Sequence, residues 1–141
     1  MKANMAALIA GIALLILVLP LQAHHPFAAQ YDKDKPVTMT GTVTKVDWAN
    51  PHAHLFMDAR DSNGKMENWE FELGSIKKLR SLGWKRDSIK MGDQVTVDAW
   101  LSKTKDDRAN VKSVKLSDGR ELSGASSITD VGTAKNKPIS N

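Results

Sequence analysis

The stretch Val37-Thr38-Met39-Thr40-Gly41-Thr42-Val43-Thr44-Lys45-Val46-Asp47-Trp48 decides the fold. Val37, Met39, Gly41 and Val43 alternate with threonines, the two-residue period of a half-buried strand rich in β-branched side chains. The parity then slips, because Val46 and Trp48 continue the apolar face one residue out of step. A slip inside one long strand predicts a bulge near Thr44–Lys45, and Gly41 permits a bend close by. A long, bent first strand suits a small closed barrel.

Downstream, Asn50-Pro51 punctuates the strand and a second one is predicted over His52–Arg60. Ala53, Leu55, Met57 and Ala59 share one of its faces; His52, His54, Phe56 and Asp58 share the other. Asp61-Ser62-Asn63-Gly64 signals a hairpin into a third strand over Met66–Leu73, with Trp69, Phe71 and Leu73 facing the core. A three-residue loop, Ser62-Asn63-Gly64, pairs Asp61 with Lys65. Met57 then faces Trp69, Leu55 faces Phe71, and His54 stands opposite Glu72. The two-residue alternative would set Met57 against Glu70 and bury a carboxylate among apolar groups, at a cost of several kcal/mol.

Ser75 can cap a short helix whose apolar stripe is Ile76, Leu79 and Leu82, with Gly83 as its stop. Strands over Gln94–Leu101 and Ala109–Leu116 follow. The prediction is therefore an all-β fold: a small five-stranded oligonucleotide/oligosaccharide-binding (OB)-like barrel over 37–122, with one short helix between strands three and four. Residues 24–36 read as an extended lead-in and 123–141 as a disordered tail.

Upstream, residues 1–23 carry one charge, Lys2, an apolar run from Met5, a break at Pro20 and a small residue at Ala23. That is the pattern of a secretory signal peptide cleaved after Ala23. The alternative is an uncleaved inner-membrane anchor, since the run approaches the roughly 20 residues that span a bilayer. Either way the remainder is expected in the periplasm or outside the cell. The 141 residues hold no cysteine, which excludes disulfides, thiolate metal sites and cysteine nucleophiles. The formal charge of +4 falls by one if Lys2 is removed, a balance that argues little for nucleic acid.

The four histidines come as two pairs. His52 and His54 leave one face of the second strand, roughly 6–7 Å apart at their Cα atoms. Cleavage after Ala23 would give His24 a free α-amine beside its imidazole, with His25 next to it. Amine and imidazole nitrogens suit Cu(II), which tops the divalent affinity order, ahead of Zn(II) and Ni(II). His24, His25, His52 and His54 are thus the candidate metal ligands, with copper the favoured ion. The plainer reading makes His24 and His25 surface residues, His52 a turn cap, and His54 the partner of a carboxylate.

His24-His25-Pro26-Phe27-Ala28-Ala29-Gln30-Tyr31-Asp32, the run Gly41–His52, and Glu72-Leu73-Gly74-Ser75 resemble a bacterial family of small exported proteins known as a domain of unknown function. The resemblance runs from about His24 to Ser123. It implies export and carries no activity. It favours His24, His25 and His52 over His54 as ligands.

Other signals are weaker. Lys77, Lys78, Arg80, Lys85, Arg86 and Lys90 surround the helix and could meet anionic lipid or polymer; a solvated helix face is the plainer reading. The exposed face of strands two and three would hold Asp58, Glu70 and Glu72, which repel phosphate, so a nucleic-acid partner is not expected. G-x-S-x-G, H-E-x-x-H and P-loop motifs are missing, and an N-terminal copper brace is the only enzyme chemistry the residues suggest. The expected partner is a metal ion or an envelope component, with membrane contact only if residues 1–23 stay attached. Two functions stand side by side: a periplasmic module binding a divalent metal, or a metal-free structural or interaction module of the envelope using the barrel face and basic helix.

Overall fold

The computed structural model describes residues 27–128, and the expected signal segment, His24 and His25 lie outside them. The fold is mostly β-sheet. A short helix α1 (Phe27–Gln30) leads into β1 (Tyr31–Asp47), followed by β2 (His54–Arg60) and β3 (Met66–Glu72). Helix α2 (Ile76–Ser81) precedes β4 (Gln94–Ser102), β5 (Arg108–Leu116) and β6 (Glu121–Ser123). Among the described residues, six strands with the short helices α1 and α2 thus stand where the sequence predicts five strands and one helix. The sheet order is β3-β2-β1-β4-β5-β6, with antiparallel neighbours. A further, parallel pairing of β3 with β5 returns the order to its start. The pairings of β1, β2, β3, β5 and β4 therefore run in a ring, with β6 added at the edge of β5.

β1 is shared between two partners because it bends. Its first part pairs with β4 and its second with β2, and Gly41 and Thr42 pair with both. The predicted bulge is present as a register shift between Val43 and Lys45. Gly41 serves the same crossing, since a Cβ there would lie 2.2 Å from the carbonyl oxygen of Asp58. The β2–β3 register is as predicted: Met57 faces Trp69, Leu55 faces Phe71 and His54 faces Glu72. Its three-residue loop is closed by the Asp61 N–H donating to the Lys65 carbonyl at 2.9 Å, with Gly64 at φ 80°.

One core fills the ring. Val43, Leu55, Met57, Phe71, Val95, Val97, Val111 and Val114 are fully buried. Leu79 and Trp84 close it from α2 and the loop beyond. Ser75 caps α2 by accepting the Lys78 N–H at 3.3 Å. Of the expected helical stripe only Leu79 is buried; Leu82 stays exposed, because the helix ends at Ser81 and cannot carry the stripe a further turn.

Both flanks differ from expectation. The segment read as a lead-in forms α1 and the first six residues of β1. Lys33, Asp34, Lys35 and Pro36 of that stretch are exposed, so no inward alternation marks it in the sequence. The segment read as a tail packs through Ala125 and Ser126, both buried. Gly124 makes this possible: a Cβ there would lie 2.2 Å from the Val111 carbonyl oxygen. No helix among the described residues is long and apolar enough to cross a membrane.

Candidate functional site

The alternation of β2 puts His54 on the outer face of the sheet, and His52, just before the strand, joins it there. β3 brings Glu70 and Glu72 to the same face, and the parallel register of β3 with β5 sets Arg108 beside Glu70 and Asn110 beside Glu72. Tyr31, at the start of β1, reaches across from the N-terminal side. These side chains form one cluster.

Glu72 is its centre and is only 7% exposed, although strand parity alone places it on a solvent face. The reason is cover and pairing. One carboxylate oxygen, Oε1, lies 2.6 Å from His52 Nδ1. The other, Oε2, accepts the Tyr31 hydroxyl proton and has Arg108 Nη2 at 3.5 Å. A buried carboxylate is tolerable only when its lone pairs are satisfied in this way. Tyr31 is held in turn by Phe27, whose ring centroid is 5.6 Å away and which also meets Trp100 edge-on at 5.5 Å. Lys103 ties α1 down, its backbone N–H donating to Gln30 O at 2.8 Å and its Nζ to Ala28 O at 2.7 Å. Burial, followed by the hydrogen bond and charge of Glu72, pushes the Tyr31 hydroxyl far above the ordinary tyrosine range.

The two histidines are held differently. His54 faces Glu72 along the backbone, yet its ring turns diagonally toward Glu70 and Arg108. His54 Nε2 lies 3.4 Å from Arg108 Nη2 and 3.6 Å from Glu70 Oε1, so this ring nitrogen is enclosed between a cation and a carboxylate. Arg108 Nη2 also lies 3.2 Å from Glu70 Oε1, with Lys105 Nζ 4.0 Å from Glu70 Oε2. His52 is the reverse case. Its Nδ1 lies against Glu72, its side chain is 40% exposed, and its Nε2 has no partner among the described residues. A carboxylate beside Nδ1 holds the orientation of the ring. The arrangement can present one oriented imidazole lone pair to a metal ion or a proton.

The structure thus joins His52 and His54 in one cluster and separates their roles. The candidates His24 and His25 lie outside the described residues. Among the described residues no three His, Asp or Glu side chains are gathered around one point that could hold an ion. The sequence reading missed Tyr31 and Arg108. Arg108 lies just ahead of the strand predicted to begin at Ala109, and Tyr31 sits in an aperiodic stretch whose one pointer is its place in the Pro26–Asp32 part of the family resemblance. Arg108 Nε and Asn110 Oδ1 are buried without a hydrogen-bond partner among the described residues. An open cleft of about 650 Å³ between the β2–β3 hairpin and the Thr104–Asp107 loop shares Lys105 with this cluster.

No curated protein matches the chain in sequence. A family model does match over residues 13–111, a span that takes in α1, the cluster and all strands but β6 and the end of β5. By that match the chain belongs to a family of unknown function, DUF6152.

Proposed function

We propose that the chain is an exported periplasmic binding module, processed after Ala23, that takes a divalent transition metal through His52 together with His24 and His25. Copper is the favoured ion, ahead of zinc and nickel, because the donors are nitrogens without thiolate. The fold that would carry it is an OB-like five-stranded barrel: the ring order β1, β2, β3, β5, β4 with a helix between β3 and β4 supports that reading.

The observation that carries the proposal is the His52–Glu72 pair, which leaves Nε2 outward and unpartnered on the face where α1 packs. Phe27 contacts Tyr31, and Tyr31 donates to Glu72. His25 is two residues before Phe27, a reach of at most about 7 Å of extended chain. The ligands that the described residues lack would come from that end. His54 is left out of the ligand set because its Nε2 is enclosed by Arg108 and Glu70.

A competition titration with Cu(II) tests this. The processed chain beginning at His24 should bind, and one extra residue before His24 should weaken binding by well over tenfold, on the order of 1.4 kcal/mol or more. His52→Ala should weaken it similarly and His54→Ala little. Equal affinity for processed and extended chains would remove the α-amine from the site. The second reading, a metal-free envelope interaction module, is favoured by the ion pairs that tie Glu70, Glu72, Arg108 and His54 to one another, which a purely structural network would use. It predicts no Cu(II) binding above that of an unstructured histidine peptide.

A further inference from the structure

Residues 75–93 form a lobe that is apolar inside and cationic outside. Leu79, Trp84 and Ile89 are buried in the core, and Trp84 Nε1 donates to the Ser123 carbonyl at 2.8 Å. Trp84 also lies against Trp48, with ring centroids 6.3 Å apart. These anchors fix the outward side chains. Lys77, Lys78, Arg80, Lys85, Arg86 and Lys90 are all exposed. Lys77, Arg80, Lys85, Arg86 and Lys90 make no ion pair among the described residues. Elsewhere Lys33, Lys65, Arg108 and Arg120 each have a carboxylate beside them.

The charge is segregated as well. Residues 75–93 hold six cations and two carboxylates, whereas the other described residues hold eleven cations and thirteen carboxylates. Asp93, one of the two carboxylates, is exposed and accepts the Lys90 backbone N–H at 2.8 Å. Two of the three exposed large apolar side chains sit among these cations: Leu82 at 41% and Met91 at 78%.

We propose that this lobe docks the folded domain on an anionic lipid bilayer, with the cations over the headgroups and Leu82 and Met91 entering the interface. Cations alone would suit any polyanion. Exposed apolar side chains between them add a term that only a surface with a hydrocarbon interior can use. The contact is made by the folded domain itself, needs no attachment through residues 1–23, and does not depend on the metal reading.

The test is vesicle co-sedimentation of the processed chain. Binding is expected to phosphatidylcholine vesicles containing phosphatidylglycerol, not to phosphatidylcholine alone, and should weaken steeply with salt. Reversing Lys85 and Arg86 to Glu should lower partitioning at least tenfold, since each cation near such a surface is worth severalfold. Reversing Lys112 and Lys115, two exposed cations of β5, changes net charge equally and should cost much less. Leu82→Ser with Met91→Ser should weaken vesicle binding and leave heparin binding unchanged. The variants alter exposed side chains, and far-ultraviolet circular dichroism confirms that each is folded. The proposal is overturned if phosphatidylglycerol vesicles are not bound at low salt. It is equally overturned if the β5 reversal costs as much as the lobe reversal, or if the Leu82 and Met91 changes leave vesicle binding intact.

Discussion

Tyr31 is the single tyrosine of the chain, so its ionisation can be followed by itself. Its hydroxyl is buried and donates to Glu72, and both effects favour the neutral form in the folded state. In the unfolded chain the phenol ionises near its ordinary pKa of about 10. The folded-state pKa is raised, so this contribution to stability is fully present below about pH 10 and lost as pH climbs beyond it. The slope approaches about 1.4 kcal/mol per pH unit. Phenolate absorbance should therefore emerge together with unfolding, and Tyr31→Phe should remove that part of the alkaline slope. A phenolate titrating near pH 10 in protein with an intact circular dichroism spectrum would contradict the buried hydrogen bond. At this scale the sequence was half legible. Alternation placed both histidines on one face, and the hairpin register set His54 across from Glu72. It did not show that Glu72 would take His52 while His54 turned to Glu70 and Arg108. That choice is made by Tyr31 and Arg108, far from Glu72 along the chain, which close on its second oxygen.

Among the elements, β1 carries the most information and the tightest constraint. Its bulge is written in the parity slip after Val43, and its bend depends on Gly41. Gly41→Ala should destabilise the fold by about 1–3 kcal/mol, because the new Cβ meets the backbone of Asp58, which cannot rotate aside. Urea denaturation checks this, and a loss within a few tenths of a kcal/mol would show that β1 and β2 can part without cost. β2, β3 and β4 were legible because their large apolar side chains recur every second residue, Leu55 and Met57, Trp69 and Phe71, Val95 and Val97, each buried between more open neighbours until Glu72 breaks the pattern. β5 was legible in extent and not in parity. The register shift between Asp98 and Ala99 lets its buried set change from Ala109 and Val111 to Val114 and Leu116. β6 was missed because it is three residues long with one large apolar side chain, too short for any period to show. The start of β1 was missed because its charged residues face solvent on both sides of the pleat.

At the scale of the whole molecule, residues 27–31 and 123–126, which flank the predicted barrel, complete the domain. The Gly74 N–H donates to Gly124 O, the Gly124 N–H to Lys112 O, and Trp84 Nε1 to Ser123 O, each at 2.8 Å. A chain ending at Leu122 loses all three, and at roughly 0.5–1.5 kcal/mol for each net hydrogen bond it should be less stable by about 2–4 kcal/mol. Thermal unfolding of that truncation tests the point, and an unchanged midpoint would return residues 123–126 to the status of a tail. At the other flank, α1 packs on Tyr31, and Tyr31 donates to the Glu72 that holds His52. In the proposed metal site Glu72 holds the His52 ring with Nε2 free for the ion, while Arg108 and Glu70 enclose the Nε2 of His54. Electron paramagnetic resonance of the Cu(II)-loaded processed chain reads the ligands through the nitrogen couplings on the copper signal. His52→Ala is expected to remove one nitrogen from the pattern and His54→Ala to leave it unchanged. A spectrum unaltered by His52→Ala, or one that loses its nitrogen with His54→Ala instead, would contradict it.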